Sequence, residues 1–131
     1  MKVMSFNCRG LVGPPKRLAS KSVVSLEHPD VILFQETLGG WDEVKLKLER
    51  WFSGRHFEAL DVKGRSGGLA VGWDERSVKV LNLWGMESVL GMTVSALDLG
   101  EEFNIMNNYG PYQARIPFWD DFFSENVTKG D

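Results

Sequence analysis

At 131 residues, with 43% apolar and 25% charged side chains, the chain has the size and balance of one globular domain with a buried core. Its formal charge of −3 and pI near 5.4 exclude attachment to nucleic acid through bulk positive charge, which needs a surplus of Lys and Arg, but leave room for local basic loops. The single cysteine, Cys8, excludes an intrachain disulfide and offers no metal-binding spacing, so a reducing compartment, nucleus or cytoplasm and not the secretory route, is expected.

Met1 is followed almost at once by a short apolar stretch, residues 2–7, that reads as a buried strand, with no charged-then-apolar leader before it. No apolar run is long enough to span a bilayer, so no membrane is expected as a partner. Pro14 and Pro15 then open a segment in which Ala19, Val23 and Leu26 fall at helical spacing, and Pro29 stops it. Residues 31–34 are an unbroken apolar run, the pattern of a strand covered on both faces. Strand, helix and strand in this order predict a parallel crossover.

After Gly39-Gly40, Trp41, Val44, Leu48 and Trp51 recur every three or four residues and predict a second amphipathic helix, with both tryptophans on its apolar face. From His56 onward the period shortens to that of strands, at 56–61, 68–73, 78–84, 89–97 and 103–109, several of them separated by turn-prone residues. Leu90, Met92, Val94 and Ala96 alternate with smaller or more polar residues, and the 78–83 run changes phase midway, as a bulge would make it. Ile116, Trp119 and Phe123 suggest a last helix. Helices first and strands mostly consecutive predict an α/β fold with one mixed sheet carrying helices on one face.

Four segments carry chemistry. Met4-Ser5-Phe6-Asn7-Cys8-Arg9-Gly10-Leu11 is a strand ending in Asn, and Pro29-Asp30-Val31-Ile32-Leu33-Phe34-Gln35-Glu36-Thr37 is a buried strand ending in a carboxylate. Gly64-Arg65-Ser66-Gly67-Gly68-Leu69-Ala70-Val71 is a loop entering a strand, and Ile105-Met106-Asn107-Asn108-Tyr109-Gly110-Pro111-Tyr112 is a strand ending in Tyr. By residue type alone, Glu36 reads either as a solvated strand-end carboxylate or as a ligand for a hard cation at the edge where open α/β sheets place ligands. Asn7 reads as a turn cap or, through parallel pairing, as a neighbour of Glu36. Tyr109 is either a packing residue with its hydroxyl at the rim or a site group. Lys16, Arg17 and the 63–67 loop are either solvated charge or contacts to a phosphate backbone. Gln35 points away from Glu36 as a hydrogen-bonding support. His28 and His56 match no ligand spacing and read as structural or solvated.

In this order and spacing, the four motifs resemble the first half of the endonuclease/exonuclease/phosphatase family, most closely the apurinic-endonuclease-like domain of non-LTR (LINE-type) retroelements. The resemblance covers nearly the whole chain. It implies the N-terminal half of a four-layer α/β sandwich and a DNA-nicking phosphodiesterase dependent on Mg²⁺, with Mn²⁺ as a substitute. Asn7 and Glu36 would be the metal residues and Tyr109 would help hold the scissile phosphate. Arg9, Lys16, Arg17, Arg65 and Ser66 would line the DNA backbone. Arg9 stands where some relatives carry an acidic residue, and Tyr112 stands where many carry Asn.

The family's G-D-x-N motif, with its water-activating carboxylate, and its S-D-H motif, with a phosphate-neutralising His, do not occur; Gly130-Asp131 follows a polar stretch and reads as a loop. The expectation is therefore a partial domain, inactive alone, whose one sheet exposes an apolar face and self-associates. Two alternatives stand beside it: a phosphatase or phosphodiesterase of the same fold acting on small molecules, and a non-catalytic remnant or interaction fragment.

Overall fold

In the computed structural model, residues 1–8, 14–61, 67–86 and 88–108 are described, with backbone alone for 14–19. The first apolar stretch forms β1 (Val3–Asn7) and the run after Pro29 forms β2 (Val31–Gln35), paired in parallel from Val3↔Val31 to Asn7↔Gln35. Between them lies α1 (Pro14–Glu27), whose prolines fall in the first turn, where a missing N–H costs nothing. It ends where His28 takes a left-handed φ of 48° and donates its N–H to the Val24 carbonyl at 2.9 Å, before Pro29 prevents continuation.

The second helix, α2 (Trp41–Trp51), buries Val44 and Leu48 and leaves Trp51 half-buried. Two expected core positions turn out otherwise. Trp41 is 52% exposed and Leu26 is 78% exposed, while Val24 is the buried residue among the described side chains of α1. Residues two positions apart on a helix lie about 200° apart around its axis, so a face that buries Val24 turns Leu26 to solvent. Trp41 begins α2, where no preceding turn packs over it.

The remaining described elements are strands: β3 (His56–Leu60), β4 (Leu69–Trp73), β5 (Val78–Met86), β6 (Val89–Ala96) and β7 (Glu102–Asn108). They do not extend a single sheet. A mixed four-stranded sheet has the order β1-β2-β4-β3, and β5-β6-β7 form a separate antiparallel sheet. The α/β class and the partial sandwich stand as expected, but the one-sheet arrangement and its uncovered face are corrected: β7 lies over β2 and β4, and β6 over β4.

The reason is in the strand pattern. β2 and β4 are apolar on both faces, so they need a cover on each side, whereas β6 has one apolar face and can supply a cover. Under the helices, Ile32, Phe34 and Ala70 join Val24, Val44, Leu48, Phe52 and Phe57. Between the sheets, Val31, Leu33, Leu69 and Val71 meet Val78, Leu90, Met92, Val94 and Ile105. Burying each of these larger side chains contributes roughly 1.5–3 kcal/mol. The apolar face expected to drive self-association is thus internal. The expected bulge is present, with the β5–β6 register shifting between Val80 and Asn82.

The helix-side core is aromatic. Phe6, Phe34, Phe52 and Phe57 form a chain of ring pairs with centroids 5.7–6.3 Å apart. Gly72 admits the Phe57 ring directly over β4, where a Cβ would overlap it. The expected helix around Ile116, Trp119 and Phe123 lies outside the described residues. No described helix is long and apolar enough to cross a membrane.

Candidate metal and phosphate site

Parallel pairing sets Asn7 opposite Gln35, so Asn7 ends β1 one residue short of Glu36 at the C-terminal edge of the four-stranded sheet. The Cys8 N–H continues the pairing by donating to the Gln35 carbonyl at 2.8 Å. Asn7 is exposed and Glu36 half-buried. None of the ion pairs among the described residues uses the Glu36 carboxylate.

The backbone here departs from the ordinary. Glu36 has φ 56° and Leu38 φ 51°, a left-handed conformation that costs free energy in any residue with a Cβ and persists where the surroundings enforce it. What enforces it is the entry to β4. The Thr37 and Leu38 N–H groups donate to the Gly68 and Gly67 carbonyls at 3.2 and 3.0 Å, and the Thr37 side chain is buried. Gly68, at φ 106°, leaves space for Thr37 Oγ1 that a Cβ would fill. The glycine loop of the third motif therefore fixes the turn that carries the carboxylate of the second.

Beneath this edge lies an amide cluster of which sequence reading found only one member. Gln35 Nε2 donates to Ser5 Oγ at 2.9 Å and to Asn107 Oδ1 at 2.8 Å, as a support role for Gln35 requires. Asn107, 1% exposed, donates through Nδ2 to the carbonyls of Phe34 and Ala70, each at 2.9 Å. Asn107 was not singled out. Its signal is a polar residue in the inward series Phe103, Ile105, Asn107 of β7, where an amide needs a partner inside the protein.

Tyr109, Arg9, Arg65 and Ser66 lie outside the described residues, as do the side chains of Lys16 and Arg17 on α1. Of the expected site, the structure brings together Asn7 and Glu36. No group of three or more His, Cys, Asp or Glu side chains suited to a metal occurs among the described residues. A hard cation held by one carboxylate and an amide oxygen, with water and phosphate completing its shell, needs no such group. His28 and His56 are exposed. His56 pairs with Glu75 at 3.0 Å and stacks on Trp73, away from the site.

At the opposite edge of the sheet the aspartates are hydrogen-bonded, although the buried Nη1 of the neighbouring Arg55 has no partner among the described residues. Asp30 Oδ2 accepts the Lys2 N–H at 2.7 Å, and Asp74 accepts from the Arg76 backbone and guanidinium at 2.9–3.1 Å. The hydrogen bonds from Arg76 hold the Asp74 carboxyl below the usual aspartate range, against a smaller opposing effect of burial.

The chain matches no family model and no curated protein. Solved structures do share its fold. It is similar to an endonuclease/exonuclease/phosphatase family protein from Bacteroides thetaiotaomicron (TM-score 0.66, 13% identity, covering 99% of this chain and 57% of that one). It is similar also to the mannosyl-6-phosphatase Bt3783 of the same organism (0.65, 13%, 95% and 59%) and to an AP endonuclease from Leishmania major (0.61, 22%, 89% and 43%). The chain thus spans roughly half the length of these structures.

Proposed function

We propose that this chain supplies the metal-binding edge of a DNA endonuclease of the retroelement type and that these 131 residues do not cut DNA by themselves. The observation that carries the reading is the register that sets Asn7 beside Glu36, at a strained strand end, in a fold shared with an AP endonuclease. Glu36 and the Asn7 amide would hold Mg²⁺ or Mn²⁺. When bound, the ion stabilises charge on the phosphate and on the leaving oxygen. Glu36 anchors the cation, Asn7 orients it, and Tyr109 would donate its hydroxyl to a phosphate oxygen. Arg9, Lys16, Arg17, Arg65 and Ser66 would contact the DNA backbone, the arginines and lysine by neutralising phosphates. The general base and the phosphate-neutralising His are expected in G-D-x-N and S-D-H segments that these residues do not contain.

The competing reading is a phosphatase acting on small esters, which the similarity to a mannosyl-6-phosphatase favours. Reading the coding frame past Asp131 is the first check, with both motifs expected there. The longer chain should nick abasic or intact duplex DNA in Mg²⁺ and lose at least about 10²-fold in rate on Glu36→Gln, whereas residues 1–131 should leave the DNA intact. Hydrolysis of small phosphate esters with DNA untouched would replace the endonuclease reading by the phosphatase one. A frame without the motifs would favour a non-catalytic remnant.

A further inference from the structure

We infer that Asn107 and Gln35, with Ser5, are positioning residues: a saturated amide clamp that holds the ends of β1, β2, β4 and β7 in one fixed relation and thereby presents Glu36 to a divalent cation. The inference rests on the proposed metal role of Glu36 but concerns residues that touch neither metal nor substrate.

The donor count carries it. Each primary amide has two N–H hydrogens, and both pairs are used: Gln35 Nε2 on Ser5 Oγ and Asn107 Oδ1, Asn107 Nδ2 on the Phe34 and Ala70 carbonyls. Phe34 and Ala70 face each other across β2 and β4, so the Asn107 amide spans that pair from the opposing sheet. Turning either amide over would set oxygen against oxygen, so the cluster has one arrangement. At its Asn107 end, which is buried, the network has a geometry that is costly to disturb, while Gln35 is half-buried and Ser5 exposed.

Its location gives it a role beyond joining two layers. Gln35 directly precedes Glu36, Ser5 lies two residues before Asn7, and Asn107 lies two before Tyr109. Apolar contacts alone would join the sheets along their whole length, as they do elsewhere. The side-chain amides are instead concentrated at the edge where the cation would sit. Groups that orient a metal ligand in this way typically change metal affinity roughly 10–100-fold when removed.

The test uses the 131-residue chain, with Mn²⁺ as the probe, read by electron paramagnetic resonance, and with amide hydrogen exchange as a metal-free readout. Glu36→Gln should abolish Mn²⁺ binding. Asn107→Asp, nearly isosteric but unable to donate to both carbonyls, should weaken it roughly 10–100-fold. The same variant should speed exchange at the Thr37 and Leu38 amides and spare those of Asp30 and Asp74 at the other end of the sheet. Ser5→Ala, at the exposed end of the clamp, should act in the same sense more weakly, and it carries the contrast if Asn107→Asp does not fold. Unchanged protection at Thr37 and Leu38, or equal loss at both ends, would overturn the positioning role and leave only layer cohesion. Mn²⁺ binding that is absent, or indifferent to Glu36→Gln, would overturn the metal reading, and the exchange contrast would then decide the clamp separately.

Discussion

The two edges of the four-stranded sheet are made of similar residues and solve opposite problems. At one edge Asp74 accepts from the Arg76 guanidinium and backbone, Asp30 accepts from the Lys2 backbone N–H, and His56 and Glu75 pair beside them. At the other, the Glu36 carboxylate takes part in none of the described ion pairs, sits on left-handed backbone, and is supported from below by neutral amides. Charges that neutralise each other locally stabilise a turn and have little capacity left for a ligand. A half-buried carboxylate that enters none of the described ion pairs keeps capacity for a ligand, at some cost in backbone strain. Residue type is a poor guide to role here, and the partners of each carboxylate are the better one.

Gly68→Ala should break the site edge most severely. Its left-handed φ and the overlap of the new Cβ with Thr37 together should cost about 3 kcal/mol in urea denaturation, and a loss under about 0.5 kcal/mol would mean that the Thr37 turn is freely adjustable.

Asp74→Ala tests the other edge. Loss of the hydrogen bonds to Arg76 should destabilise by about 1–2 kcal/mol at neutral pH. The folded carboxyl lies below its ordinary value, so its contribution is complete above about pH 4 and is lost as the pH falls through the folded value. Acid unfolding of the variant should therefore show a shallower pH dependence than that of the parent below about pH 4. Parallel curves would mean that Asp74 is not coupled to folding.

Glu36→Gln should have the smallest effect on stability, within about 0.5 kcal/mol, since no described ion pair is lost. A large loss would make Glu36 a structural residue like Asp74 and erase the contrast between the edges.

Much of the scaffold was legible from local pattern. The strands and helices among the described residues fall within two residues of their expected ends, because runs such as 31–34 and the alternation of Leu90, Met92, Val94 and Ala96 reflect burial that each element imposes on its own sequence. Asn7 and Glu36 were legible as neighbours because parallel crossover pairing follows from element order. Trp41 was misread because helical spacing identifies a face but not how far the core extends along it.

The sequence by itself thus determined the elements, their order and which residues end the strands, since these depend on periodicity and on proline and glycine at fixed places. Only the tertiary structure decided that the later strands form a second sheet, and that Asn107 reaches Gln35 across 72 positions of chain. The physical reason is that alternation says which residues share a face but not what covers it. A buried amide likewise declares only that it needs partners, and docking of the two sheets chooses them.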